Sequence, residues 1–133
     1  MTPGKGIIGI DFGTTASVIA IMSDGKPSVI DTGGGKRIPS VVAFNHRGEV
    51  TVGEAARRQA VSNPAGVVHS VKRLIGRSFD DPVVQSIVEQ QPFALRAADD
   101  GSVEIIRPGS GRAYSPSEVV STILRKLKQE TEA

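Results

Sequence analysis

The sequence predicts a mixed α/β chain in which strands come first and helices follow, without strict βαβ alternation. Three observations carry this. Short apolar runs broken by turn residues fill positions 7–52. From Glu54 the texture changes to helix-forming residues. Near the end, Ser115 with Pro116 and Glu118 opens a stripe of apolar residues at helical spacing.

Taken in order, Ile7, Ile8, Gly9 and Ile10 form a continuous apolar run, as expected of a strand covered on both faces. Residues 18–22 make a second run, and Asp24-Gly25 within the turn at 23–26 is a strong hairpin signal. Residues 28–30 supply a third strand, so the chain opens as an antiparallel meander. A glycine-rich loop at 32–36 leads to Pro39 and the run Val41, Val42, Ala43, Phe44. This turns at Asn45-His46-Arg47-Gly48 and returns along 49–52 to Gly53.

Residues 54–60 are nearly all good helix formers. Asn63-Pro64 reads as a cap followed by proline at the first helical position. It predicts a second short helix running through Val67 and Val68 and ending before Gly76. Asp80-Asp81-Pro82 predicts another, with Val83, Val84, Ile87 and Val88 on one face. Strand returns over 93–106 about an Asp99-Asp100-Gly101 turn. In the final helix Ser115 and Glu118 form a capping box, and Val119, Val120, Ile123, Leu124 and Leu127 form the stripe. Arg125, Lys126 and Lys128 suit the negative end of the helix. There is no internal repeat and no low-complexity segment.

The composition narrows the function classes. Sixteen basic residues against 14 acidic ones give a net charge of +2, which argues against a dedicated nucleic-acid binder. The pair Arg57-Arg58 reads as a solvated helix face; Lys72, Arg73 and Arg77 make a second cluster. With no cysteine, disulfides and thiolate metal sites are excluded. No run approaches the roughly 18 apolar residues of a membrane span, and the start lacks the pattern of a signal peptide. The expectation is a soluble, cytoplasmic chain with neither nucleic acid nor membrane as partner. His46 and His69 have no second ligand at metal spacing, so both read as solvated or structural.

Two literal motif matches fail on context. Gly4-Lys5-Gly6-Ile7-Ile8-Gly9 spells a dinucleotide fingerprint, but that motif needs a strand before it and a helix after it. Asp11-Phe12-Gly13 spells a kinase metal-binding triplet, yet only ten residues precede it and no kinase loop is among them. The informative stretch is Gly9-Ile10-Asp11-Phe12-Gly13-Thr14-Thr15. A strand delivers a carboxylate at its end, followed by a glycine and two hydroxyls in a turn. Glycine admits close approach of backbone amides to an anion, threonines add donors, and Asp11 suits a magnesium ion that keeps its waters. The same spacing also fits an ordinary hairpin in which Asp11 and Thr14 bond the turn backbone.

Asp11, Gly13, Thr14 and Thr15 after an apolar strand are similar to the first phosphate loop of the actin, hexokinase and heat shock protein 70 superfamily. Further motifs choose within it. Residues 38–44 resemble the chaperones' T-P-S-hydrophobic segment, residues 52–60 their V-G-x-x-A-[KR]-x-Q-A stretch, and Lys72-Arg73-Leu74-Ile75-Gly76-Arg77 their K-R-L-I-G-R motif. The order and spacing agree from about Lys5 to Lys128. The chain, residues 1–133, is thus identified as a member of the heat shock protein 70 (DnaK-type chaperone) family, covering the N-terminal segment of its nucleotide-binding domain.

The resemblance implies an actin-like ATPase (ribonuclease H-like) fold, here part of the first lobe. It implies ATP/ADP and Mg2+ as cofactors of the complete domain. Asp11 would support magnesium through water, Gly13, Thr14 and Thr15 would hold the β- and γ-phosphates, and Lys72 would be the catalytic lysine. Arg73 would contact the phosphate region or a neighbouring lobe. Ala16 departs from the family, which commonly has a polar residue there. For the longer parent, unfolded peptides, a J-domain co-chaperone and a nucleotide exchange factor are the implied partners. The remaining site segments of that domain have no counterpart in these residues, so the chain alone is expected to bind ATP weakly and to be inactive. The final helix is expected to leave Ile123, Leu124 or Leu127 exposed and to favour self-association. Two alternatives stay open: a truncated, non-catalytic binding module, and a sugar kinase of the same superfold.

Overall fold

The computed structural model describes residues 7–31, 35–45, 47, 49–107 and 112–132. Residues 4–6 of the first literal motif, Thr32, Gly33 and Gly34 of the glycine-rich loop, and His46 and Gly48 of the second turn lie outside the described residues. The architecture is mixed α/β, built on three small antiparallel sheets.

The first sheet is the expected meander. β1 (Ile8–Phe12), β2 (Ala16–Ser23) and β3 (Lys26–Val29) lie in the order β1-β2-β3, with Ile10 opposite Ile19 and Ala20 opposite Val29. Asp24 and Gly25 both take positive φ, 51° and 76°, the backbone that a two-residue hairpin needs to match strand twist. A two-residue strand, β4 (Ile38–Pro39), also pairs with β2, placing Ala16 opposite Pro39.

β5 (Val42–Phe44) is the centre of the second sheet, between β6 (Val50–Val52) and β7 (Val67–Val68). The Asn45 side chain closes the β5–β6 turn by accepting from the amides of Arg47 and Glu49, each at 2.9 Å. The third sheet joins β8 (Ala94–Ala97), β9 (Val103–Ile106) and β10 (Ala113–Tyr114), with β9 central. The helices are α1 (Glu54–Arg58), α2 (Pro82–Gln90) and α3 (Pro116–Glu132). Asp81 caps α2 by accepting from the Val83 amide at 2.8 Å. The capping box of α3 is formed as expected, with Ser115 and Glu118 each accepting from the other's amide at 3.1 Å. No helix among the described residues is long and apolar enough to cross a membrane.

Five expectations are corrected. The second short helix is absent: residues 64–66 and 71–73 are single 3-10 turns, and Val67-Val68 between them is strand β7. Both valines are β-branched and buried, and β5 offers them a partner edge, so tertiary pairing overrides the local start signal. β1 is not covered on both faces; Ile8 and Ile10 are each 39% exposed, and neither joins the core that the facing Ile19 enters. On α3, Val119, Ile123 and Leu127 are fully buried at i, i+4 spacing and only Leu124 is open, because the helix packs on β2, β5, β6 and β9. Lys126 and Lys128 lie before the last turn, since α3 runs to Glu132, and they pair with Glu130 and Glu132 at 2.9 and 3.7 Å. The α2 face is also narrower than its sequence suggests: Val84 and Ile87 are buried, Val83 and Val88 exposed.

One main core runs through all three sheets. Ile19, Val42, Val68, Leu74, Ile105 and Ile123 meet there, and Val41, Ala43, Ala56 and Val67 form a smaller cluster. The core thereby fixes β2, β7 and the 71–73 turn relative to one another.

Candidate functional site

The β1–β2 turn, residues 13–15, is closed by a hydrogen bond from the Gly13 amide to the Ala16 carbonyl at 3.1 Å. A Cβ at Gly13 would collide with that same carbonyl, so the turn needs glycine for space. The amides of Thr14 and Thr15 have no acceptor among the described residues. Two successive donors at a tight turn make a concavity suited to an anion.

Ser40 holds this turn from behind. Its amide donates to the Thr15 carbonyl at 2.9 Å, and its hydroxyl donates to the Gly13 carbonyl at 2.9 Å. The Ser40 hydroxyl also meets that of Ser17 at 2.8 Å, and both residues are essentially fully buried. Because the Ser40 proton goes to Gly13, the Ser17 hydroxyl is the donor of this second bond. Neither serine was singled out by the sequence. Ser40 lies in a segment quoted for its resemblance, but nothing local marks Ser17 as its partner.

Lys72 reaches the turn from 60 residues away. It sits in the 3-10 turn Val71–Arg73, whose Val71 and neighbouring Leu74 are anchored in the core. Its ammonium donates to the Phe12 carbonyl at 2.7 Å, directly beside Gly13. An ammonium has three donors, so this bond fixes its position and leaves two for another acceptor. The approach to this turn is strained: Ser70 adopts a left-handed backbone with φ 58°, uncommon outside glycine.

Ser70 also receives support. His69 Nδ1 lies 3.0 Å from the Ser70 hydroxyl, its Nε2 lies 2.8 Å from Gln91 Oε1, and its ring meets Phe93 edge-on at 5.5 Å. An amide oxygen only accepts, so Nε2 carries the proton. His69 is therefore a structural residue joining α2's end to the lysine turn.

The other sequence-derived positions separate. Asp11 is exposed at the end of β1, two residues before Gly13. Among the described residues no group of three or more His, Asp or Glu could cage a metal ion. Asp11 is the carboxylate nearest this turn in sequence, and a single carboxylate would suit a magnesium ion that keeps most of its waters. Arg73 has no hydrogen bond or ion pair to the turn among the described residues. Successive residues of a 3-10 turn point about 120° apart, and Arg73 lines a groove along α2 with Pro82, Val83 and Gln90.

A family model described as Hsp70 protein matches residues 7–133. The chain is also similar to a mitochondrial heat shock 70 kDa protein of Solanum tuberosum, at 44% identity over 131 residues. That alignment covers 98% of this chain and 19% of the relative, so the chain spans about a fifth of the length of that relative.

Proposed function

This chain belongs to the Hsp70 family, and from that premise we propose that it forms the opening part of a two-lobed ATPase domain in an ATP-dependent folding chaperone. Within that domain it supplies the first phosphate loop and the catalytic lysine. The observation that carries the reading is the 2.7 Å bond from the Lys72 ammonium to the Phe12 carbonyl, which sets a cation at the mouth of the 13–15 turn.

Each residue then has a role its surroundings support. The Thr14 and Thr15 amides and hydroxyls bind the β- and γ-phosphate oxygens, and Gly13 lets the backbone come close. Lys72 offsets charge that develops on the γ-phosphate and orients the attacking water with its remaining donors. Asp11 would hold magnesium through water, and that ion, when bound, would supply positive charge against the phosphates. Arg73 serves the parent through the α2 groove rather than through the turn. The longer protein couples this chemistry to unfolded peptides, with a J-domain co-chaperone and a nucleotide exchange factor as partners.

Steady-state ATPase of a longer protein carrying this segment tests the reading. Lys72→Ala lowers kcat by about 10²–10³, the magnitude of one preorganised charge donor, while KM for ATP moves less. Unfolded peptide raises the native rate. An unchanged kcat in the variant, or stimulation by a sugar instead of peptide, would overturn it.

A further inference from the structure

Beyond bracing the lysine turn, His69 and Ser70 make an arrangement that none of these roles uses. Among the described residues only Asp24 and Ser70 take positive φ without being glycine. Asp24 needs it for the β2–β3 hairpin. Ser70, at φ 58° and ψ 27°, opens a 3-10 turn that asks for no such backbone. Strain of this kind collects at working sites.

The side chains give the strain a chemical reading. Gln91 Oε1 accepts from His69 Nε2 at 2.8 Å, so Nδ1 is the unprotonated nitrogen of the neutral ring, and it lies 3.0 Å from the Ser70 hydroxyl. The hydroxyl therefore donates to a base that a third group orients, which is the pattern of an activated nucleophile. The parts are held in place. Gln91 ends α2 with its amide bonded to the Ile87 carbonyl at 2.9 Å, and the imidazole rests edge-on against buried Phe93.

Ser70 also lines a groove of about 350 Å³ along α2, within the size range of small-molecule sites. Val83 and Ile87 give the groove apolar surface. Arg73 stands in it, and its guanidinium has no hydrogen-bond or ion-pair partner among the described residues. A planar guanidinium with its donors unused suits a carboxylate, which it can bind with two parallel bonds.

We infer that Ser70 is a nucleophile for acyl transfer, with His69 as its general base, Gln91 positioning the ring, and Arg73 favouring esters that carry a carboxylate. Ser70 Oγ attacks the ester carbonyl carbon while its proton passes to His69 Nδ1. The bond to the alcohol oxygen breaks, and the alcohol leaves with that proton. Water then attacks the acylated Ser70 through the same base, releasing the acid and returning a proton to Oγ. The inference uses neither the phosphate loop nor Lys72, so it stands apart from the nucleotide reading.

The test begins with the 133-residue chain and phenylmethanesulfonyl fluoride, which transfers its sulfonyl group to an activated serine with loss of fluoride. Peptide mass spectrometry locates the adduct. Ser86 is the internal reference, because it lines the same groove, is more exposed, and has no side-chain hydrogen bond among the described residues. Ser70 should be labelled about a hundredfold faster than Ser86, the lower end of what a positioned base contributes. His69→Phe keeps a ring against Phe93 but removes the base, and should bring Ser70 down to the rate of Ser86. Gln91→Leu should slow the labelling, while Gln91→Glu, which keeps an acceptor oxygen, should retain it. Ser70→Gly suits the left-handed backbone and should abolish the adduct, with an unchanged circular dichroism spectrum. Relative to their uncatalysed rates, 3-acetoxy-4-nitrobenzoate should be cleaved about tenfold faster than 4-nitrophenyl acetate, and Arg73→Gln should erase that preference. Equal labelling of Ser70 and Ser86, which needs no variant, would overturn the inference. So would indifference of Ser70 to His69→Phe, or an ester preference that survives Arg73→Gln. Each of these leaves the ATPase test of Lys72→Ala untouched.

Discussion

At the scale of single residues, the turn is held by a serine 27 positions away, and that dependence is measurable. Ser40→Ala removes the donor to the Gly13 carbonyl and leaves the buried Ser17 hydroxyl without its partner. Orphaning such groups costs about 1–3 kcal/mol in urea unfolding. Ser17→Ala should cost less when Ser40 is already alanine, because the two hydroxyls act as one unit, and a double-mutant cycle gives the coupling. Gly13→Ala should destabilise through steric collision with the Ala16 carbonyl rather than through lost bonds, so repairing hydroxyls elsewhere would not rescue it. The residues that touch phosphate in the proposed role, Thr14 and Thr15, were legible because glycine and hydroxyls sit together in sequence. The brace was not. Ser17 and Ser40 are 23 positions apart, each reads as an ordinary small polar residue, and only folding makes them neighbours.

Elements show the same division between local and distant causes. The α3 cap was legible because its donors and acceptors lie within four consecutive residues, Ser115 to Glu118. The valines of β7 were misread because the edge that makes them a strand is β5, about 25 residues earlier. β10 escaped notice for the same reason, being two residues that count only against Ile105 and Ile106. The stripe on α3 yields a contrast between neighbours. Ile123→Ala leaves a void in the main core and should cost about 2–5 kcal/mol, whereas Leu124→Ala, on the open side, should cost well under half of that. Comparable losses would mean that the helix is rotated from its observed face.

α1 makes a pH argument. The hydrogen bond from Arg57 holds the Glu54 carboxyl below its ordinary value of 4.5; partial desolvation opposes this, and the charges of Arg57 and Arg58 add to it. A depressed carboxylate contributes stability above its unfolded value and loses it as pH falls through the lower folded value. Thermal midpoints should therefore fall on acidification from about pH 5 to about pH 3, and Glu54→Gln should flatten part of that fall. The pair is exposed, so the effect is small and weakens with salt.

The whole molecule carries its unfinished surface on the first sheet rather than on the last helix. Ile8 and Ile10 share a face with Ile19 and Ile21, yet only Ile19 reaches the core, and Met22 and Val29 are exposed on the reverse face. A sheet with exposed apolar residues on both faces, whose β1 is paired on one edge among the described residues, matches a sheet that continues, and in the proposed longer domain further segments would cover it; the similar heat shock protein is about five times as long. In the 133-residue chain those faces meet water instead, which favours pairing between copies through the β1 edge that has no partner among the described residues. Sedimentation equilibrium should show an average mass that rises with concentration. Ile8→Lys together with Ile10→Lys should return the chain to a monomer, by placing charge on the edge strand, with the main core untouched. Leu124→Lys on α3 should leave association unchanged. The reverse outcome, association abolished by Leu124→Lys and indifferent to the β1 charges, would move the sticky surface back to the helix and remove the reason for reading β1 as the inner strand of a larger sheet.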